Sequence, residues 1–313
     1  MNILARIAFP FYCRTFKVNH PDLFQSKGPI LLASNHPNSF LDAIILCTHF
    51  KQPIYSLARG DAFKNPFTAR LLKALNILPI YRESEGVENM DINYKTFEQC
   101  RQIFRNNGIV LIFSEGRCIN EWHFRALKKG TARIAFSCWE EGIPLKVLPV
   151  AINYNSFRNF GKVIHLYFGK IITHSAIEPN ESFGKKIQSF NQILKGELSP
   201  FVYEIAATDK QHLKDKFAIQ QPQWINLLLA PFAFIGWLLY TPFIRVLQWL
   251  VDKMNNDNDH YDSILVSLFF FIFPFLLALF TAIVAYYFGV LIAIIAFAIA
   301  LLCFKANISY SKK

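Results

Sequence analysis

The stretch from Ser263 to Phe304 constrains this chain more than any other, because it runs 42 residues without one charged side chain. As a single helix rising 1.5 Å per residue it would be roughly 60 Å long, twice the hydrocarbon thickness of a bilayer. Two helices joined by a tight turn fit that length. The segment "YYFG", Tyr286–Gly289, supplies a glycine and the aromatic residues that favour a membrane interface. A transmembrane helical hairpin is therefore expected over residues 263–304. Lys253 precedes it, Lys305, Lys312 and Lys313 follow it, and the turn carries no cation. Lysines concentrate on cytoplasmic flanks, so both ends, and the domain before them, are expected in the cytoplasm.

A second apolar segment covers residues 224–251. Ile225–Ile244 is uncharged and long enough for one crossing, but Pro231 and Pro242 interrupt it, and Trp224, Trp237 and Trp249 recur along it. It reads as interfacial or re-entrant, since a full crossing would make three spans and carry the tail to the far side. At the other end, "MNILARIAFPFYCR" has Arg6 and Pro10 inside its apolar run and no small-residue cleavage site after it. Residues 1–24 read as an amphipathic segment on a membrane surface or as an ordinary helix packed on the domain.

Between these ends, residues 25–208 alternate short β-branched runs with amphipathic stretches. The strand candidates are Pro29–Ser34, Pro53–Ala58, Ile77–Tyr81, Ile109–Ser114, Val147–Asn153 and Val163–Phe168. Helical patterns run from about Pro66 to Leu75, Asn89 to Arg105, Leu127 to Glu141 and Phe183 to Ala206. Such alternation predicts an α/β domain, a mostly parallel central sheet flanked by helices, followed by the C-terminal transmembrane helices. The polar stretch Asp209–Gln223 reads as the linker between them.

Composition narrows the partners. A formal charge of +11 favours phosphate-bearing molecules or anionic lipid, and 32 phenylalanines suit a membrane-facing or acyl-binding protein. Six cysteines without a CxxC pair read as free thiols, and the histidines show no metal-ligand spacing. No metal, cofactor or nucleic-acid motif is expected.

The chemistry starts at "SNHPNSFLDAI", Ser34–Ile44, which leaves the first strand candidate. Alone, it is a capped helix start. However, His36 follows the end of a strand, as do Arg82 and Glu115, and active sites in parallel sheets collect at carboxyl ends. Helix geometry does not align residues six apart. His36 therefore belongs on the turn, with Asp42 in the first turn or two of the helix.

Four blocks lie in order: "NHPNSFLD" (Asn35–Asp42), "NILPIYR" (Asn76–Arg82), "LIFSEGR" (Leu111–Arg117) with "LKKGTARIA" from Leu127, and "VLPVAI" (Val147–Ile152). Together, over roughly residues 25–170, they resemble the glycerolipid acyltransferase family, which includes lysophosphatidate and glycerol-3-phosphate acyltransferases. The resemblance implies that His36 and Asp42 are the catalytic pair. It implies that Arg82, Glu115, Gly116 and Arg117 serve the acceptor phosphate, with Glu115 bonding a glycerol hydroxyl or tethering an arginine, and that Pro149 marks acyl-donor or site architecture. Asn35, Lys128 and Lys129 are secondary candidates. Two features depart from the family: five residues, Pro37 to Leu41, separate His36 from Asp42 where four are usual, and Ser114 stands for proline with no threonine before Arg117. Both bear on the acceptor more than on the chemistry.

The implied reaction moves a fatty acyl group from acyl-CoA or acyl-carrier protein to a phosphorylated glycerol acceptor at the membrane. A thioester is already activated, so no enzyme nucleophile is needed. The acceptor hydroxyl needs a base, and histidine, with an ordinary pKa near ~6.5, suits neutral pH. A carboxylate on its other nitrogen fixes the tautomer. Lysophosphatidate is the leading acceptor, and glycerol-3-phosphate or dihydroxyacetone phosphate the alternative. A non-catalytic lipid-binding protein on the same scaffold is the rival of a different class.

Overall fold

Local alternation of β-branched and polar residues produces one sheet of seven strands: β1 (Cys13–Val18), β2 (Ile30–Ser34), β3 (Ile54–Arg59), β4 (Ile77–Ile80), β5 (Ile109–Phe113), β6 (Lys146–Tyr154) and β7 (Lys162–Phe168). The computed structural model describes residues 9–81, 90–219, 221–254 and 259–310, with the backbone alone for 90–92. The strand order is β1-β7-β6-β2-β5-β3-β4. Strands β6, β2, β5, β3 and β4 run parallel; β7 pairs antiparallel with β6 and parallel with β1. This is the mostly parallel sheet expected from the sequence.

Successive side chains on each strand point to opposite faces, so the core divides in two. On one face Leu31, Ala33, Val110, Ile112, Val147 and Ala151 meet α3 (Met90–Arg105), α4 (Gly130–Glu140) and α5 (Phe183–Leu198) through Phe104, Phe136 and Phe190. On the other, Leu32, Leu111, Val150 and Ile152 meet Leu41, Ile45 and Leu46 of α1 (Ser39–His49). Each such buried side chain contributes about 1.5–3 kcal/mol relative to exposure. The short α2 (Pro66–Ala74) buries none of its residues.

Two boundaries differ from the sequence reading. Residues 1–8 of the proposed N-terminal segment 1–24 lie outside the described residues. Cys13–Val18, however, is an edge strand of the sheet, and Phe24 is buried in a 3-10 turn, so the segment belongs to the domain. The strand is only partly buried, and its partner β7, with Cys13 opposite Lys162, is far off in sequence. Local periodicity therefore has little to register. In the proposed linker 209–223, α6 (Lys210–Lys216) forms, and Phe217 is buried against His165 and Tyr203. The domain ends after Phe217.

Three helices follow, α7 (Gln223–Met254), α8 (Tyr261–Phe288) and α9 (Val290–Ser309), each long and apolar enough to cross a membrane. The turn between α8 and α9 falls at Gly289, whose φ of +87° suits glycine, within the "YYFG" segment. Phe269 stacks on Phe304 across the hairpin, with ring centroids 5.2 Å apart. Helix α7 runs unbroken through Pro231 and Pro242 for about 48 Å. This corrects the re-entrant option for 224–251, which needs a chain reversal that α7 lacks. Instead α7 packs on α9. A Cβ on Gly236 would meet the Cys303 carbonyl oxygen at 2.1 Å, and the Tyr240 hydroxyl donates to the Ala300 carbonyl at 2.8 Å.

Candidate active site

Strands β2 and β5 are neighbours, with Ser34 opposite Phe113, so the first and third sequence blocks emerge side by side at the carboxyl ends of the sheet. The Ser114 N–H donates to the Ser34 carbonyl at 2.8 Å and extends the pairing by one step. Asn35 is buried and pins this end to β6. Its side-chain amide donates to the Ile152 carbonyl at 3.0 Å and accepts the Ile152 N–H at 2.8 Å.

His36 sits on the turn and Asp42 in the first turn of α1, as the spacing requires. The His36 ring stacks on Phe113 with centroids 3.7 Å apart and planes 9° from parallel. Its Nδ1 lies 2.8 Å from Asp42 Oδ2. Asp42 is fully buried, and two more donors converge on it: the Asn38 N–H on Oδ2 at 2.9 Å and the Tyr154 hydroxyl on Oδ1 at 2.6 Å. Burial, and next the charge of Asp42, push the Tyr154 phenol well above its ordinary range, so it stays a donor. Ring and carboxylate are both fixed before any substrate arrives.

The turn between them is strained. Ser39 has φ +52°, a left-handed conformation that costs a non-glycine residue roughly 1–2 kcal/mol. Its N–H donates to Cys118 Sγ at 2.9 Å, and its Oγ lies 2.6 Å from His260 Nδ1. Burial raises the Cys118 thiol above its ordinary range, which keeps it protonated and suits an acceptor of this bond rather than a nucleophile.

Of the two roles open to Glu115, its surroundings match the arginine tether. It is 3% exposed, and both oxygens are occupied. Oε2 accepts the His36 N–H at 3.0 Å and the Arg125 guanidinium at 2.8 Å, and Oε1 accepts the Arg125 N–H at 3.1 Å. Arg125 also donates to the Arg117 carbonyl at 3.0 Å. Glu115 thus braces the His36 turn from inside. Pro149 lies within β6, buried opposite Ala33, and takes part in the architecture of the sheet beneath the site. Gly116, at φ +66°, carries the chain past Lys128, whose Cγ would lie 3.0 Å from a Cβ there. Arg117, Lys128 and Lys129 are exposed beside it. Arg82 lies outside the described residues. Ser114, standing for the usual proline, accepts the Thr131 hydroxyl at 2.9 Å and ties the third block to α4. No group of three or more His, Cys, Asp or Glu among the described residues could hold a metal ion.

Tyr154 and Arg125 were missed by sequence reasoning. Alternation along β6 carries a signal for the first, because Leu148, Val150, Ile152 and Tyr154 share the face that packs on α1. Arg125 has no such signal, for it lies in the irregular chain after the third block.

A protein-family model described as Acyltransferase matches residues 15–153. A 1-acyl-sn-glycerol-3-phosphate acyltransferase of Chlamydomonas reinhardtii is 25% identical over 193 residues, 61% of this chain and 54% of that protein. The chain thus spans about half the length of this curated relative. The crystal structure of the 1-acyl-sn-glycerophosphate (LPA) acyltransferase PlsC from Thermotoga maritima superposes with a TM-score of 0.46 and 14% identity, over 66% of this chain and 78% of that one. Residues 15–153, which hold the β2–β5 strand ends, His36, Asp42 and Glu115, are thus the part of the chain that matches the acyltransferase family model.

Proposed function

We propose that the protein is a membrane-embedded O-acyltransferase that moves a fatty acyl group from a thioester, acyl-CoA or acyl-carrier protein, to the hydroxyl of lysophosphatidate, yielding phosphatidate. The observation that carries this reading is the buried Asp42 held 2.8 Å from His36 Nδ1 at a strand end flanked by exposed cations. With Nδ1 donating to Asp42, His36 offers the lone pair of Nε2. That nitrogen takes the hydroxyl proton as the acceptor oxygen attacks the thioester carbonyl. The tetrahedral intermediate then expels the thiolate, and the imidazolium, stabilised by Asp42, returns the proton to the sulfur. Arg117, with Arg82, Lys128 and Lys129, would bind the acceptor phosphate, since guanidinium forks pair phosphate oxygens bidentately. The name of the algal relative supports lysophosphatidate. The five-residue spacing between His36 and Asp42 resembles that of some glycerol-3-phosphate or dihydroxyacetone-phosphate acyltransferase branches, and this makes those acceptors the second reading. An assay of the purified protein with each acceptor, and with acyl-CoA and acyl-carrier protein as donors, decides between them. No acyl product with any pairing overturns the reading.

Arg117→Ala is expected to raise KM for the phosphorylated acceptor by about tenfold to a hundredfold, the cost of one charge-assisted contact, and to leave KM for the acyl donor unchanged. An effect on the donor alone removes Arg117 from the phosphate site.

The apolar helices support membrane insertion with the domain on the cytoplasmic side. Both ends of α7 are tethered to the same folded domain: Phe217 is buried in it ahead of the helix, and beyond the helix the Asp259 side chain accepts the Asn120 N–H at 2.8 Å. A helix so tethered cannot cross once, so α7 rests in the interface while α8 and α9 cross as the hairpin. Lys305, near the end of α9, donates to the Pro10 carbonyl, which returns that end to the domain's side. In a background without native cysteines, Gly289→Cys should be labelled by an impermeant thiol reagent from outside intact cells, and Tyr310→Cys only after lysis. Labelling of Tyr310→Cys from outside would instead require an odd number of crossings.

A further inference from the structure

The head of α8 reaches the catalytic turn by a route that the acyltransferase blocks do not contain. Asp262, fully buried at the start of this long apolar helix, accepts the Asn38 side-chain amide at 2.9 Å. It also pairs with Lys162 at 2.5 Å, both side chains being wholly buried. Lys162 leads β7 and also donates to the Ser156 carbonyl. The Tyr12 phenol lies beside the same carboxylate; burial and then the Asp262 charge push it well above its ordinary range. Two further contacts run alongside, His260 to Ser39 and Asp259 to Asn120, whose side chain donates to the Pro37 carbonyl at 2.7 Å. Pro37, Asn38 and Ser39 are three consecutive residues of the five between His36 and Asp42.

A buried ion pair is a costly way to join a helix to a domain, because two charges must leave water and apolar residues of similar volume often serve as well. What this pair supplies is direction. Asn38 is held by its side chain from Asp262 and gives its backbone N–H to Asp42 Oδ2, the same oxygen that faces His36 Nδ1. We infer that Asp262 is a positioning residue for the His36–Asp42 pair: docking of the apolar hairpin on Lys162 fixes Asn38, and Asn38 fixes the Asp42 carboxylate. The strained Ser39 backbone points the same way, since a left-handed serine persists only where its surroundings over-determine it. The membrane hairpin is then part of the catalytic turn's scaffold as well as an anchor. This inference rests on His36 being the base.

The test uses the full chain in detergent micelles or vesicles. Asp262→Ala alone would strand the Lys162 charge and endanger the fold. The pair variant Lys162→Met/Asp262→Leu removes both charges and the acceptor for Asn38 while keeping the site filled. It is expected to remain folded and membrane-bound, to lose about tenfold or more in kcat, and to keep KM for donor and acceptor within about twofold. The rising limb of its pH–rate profile, which reports the base in the chemical step, should also move relative to the unsubstituted protein. Adding Asn38→Ala should cost little more, because both changes break one chain of contacts. An unchanged kcat, or a loss confined to KM or to the yield of folded protein with the pH midpoint unmoved, overturns the inference. His36→Ala assayed alongside separates the two ideas. If that variant is active, the base assignment fails. If it is inactive while the pair variant is fully active, only the role of Asp262 fails.

Discussion

Replacing His36 with alanine is expected to cut acyl transfer by about three orders of magnitude, within the 10²–10⁴ that a positioned general base supplies. Asp42→Asn should fall as far or further, for a reason visible at the carboxylate. Asp42 accepts from three donors: His36 Nδ1, the Asn38 N–H and the Tyr154 hydroxyl. An asparagine offers one acceptor oxygen and an NH2 group. If the NH2 faces His36, it favours a lone pair on Nδ1 and the proton on Nε2, which leaves no base toward the acceptor. If it faces Tyr154, the phenol must turn from donor to acceptor, and the imidazolium still loses the negative charge that stabilises it. The loss should appear in kcat, with KM for both substrates little changed and the thermal melt of His36→Ala close to that of the unsubstituted protein. A folded His36→Ala preparation with near-full kcat would remove His36 from the mechanism.

The sequence conveyed the parts of this site that depend on neighbours along the chain. The turn after β2, the position of Asp42 in the first turn of α1, and the hairpin turn at Gly289 all follow from local patterns: strand-like runs, capping residues, and the length of an uncharged segment. What stayed hidden depends on partners far off in sequence. Cys13 meets Lys162 across 149 positions, and nothing in "CRTFKV" announces an edge strand. Asn38 meets Asp262 across 224 positions. An acidic residue at the head of an apolar helix reads equally as a helix-start residue, because carboxylates favour that end of the helix dipole. Helix α7 shows the limit of composition. Length and hydropathy permit a crossing, and its prolines and tryptophans argue for the interface. Only its tethers, Phe217 on one side and Asp259 on the other, favour one of these readings.

Glu115 gives the second large expected effect, because the two roles open to it predict different losses. As an acceptor-binding residue, it would raise KM for the phosphorylated acceptor when removed and leave stability nearly untouched. As placed, it is a buried counter-ion. Its side chain is 2% exposed and that of Arg125 16%. Truncating one partner of a buried pair costs roughly 3–5 kcal/mol, and Arg125 would be left with the more exposed Glu121, 3.4 Å away. Glu115→Ala should therefore lower folding stability by about that amount, a large share of a domain's ~5–15 kcal/mol. The backbone of the catalytic turn should loosen with it, because the His36 N–H and the Arg125 N–H both lose their acceptor. Where the variant can be purified, kcat should drop while KM for the acceptor stays within about twofold. Glu115→Gln should fall between, since an amide oxygen can still accept the His36 N–H but no longer neutralises Arg125. Arg125→Met should partly restore the stability of Glu115→Gln, because it removes the charge that Glu115 no longer neutralises. A stable Glu115→Ala protein with an elevated acceptor KM would return Glu115 to the substrate side of the turn. Thermal melts, read together with acceptor titrations, decide the point, because the two placements move those measurements in opposite proportions.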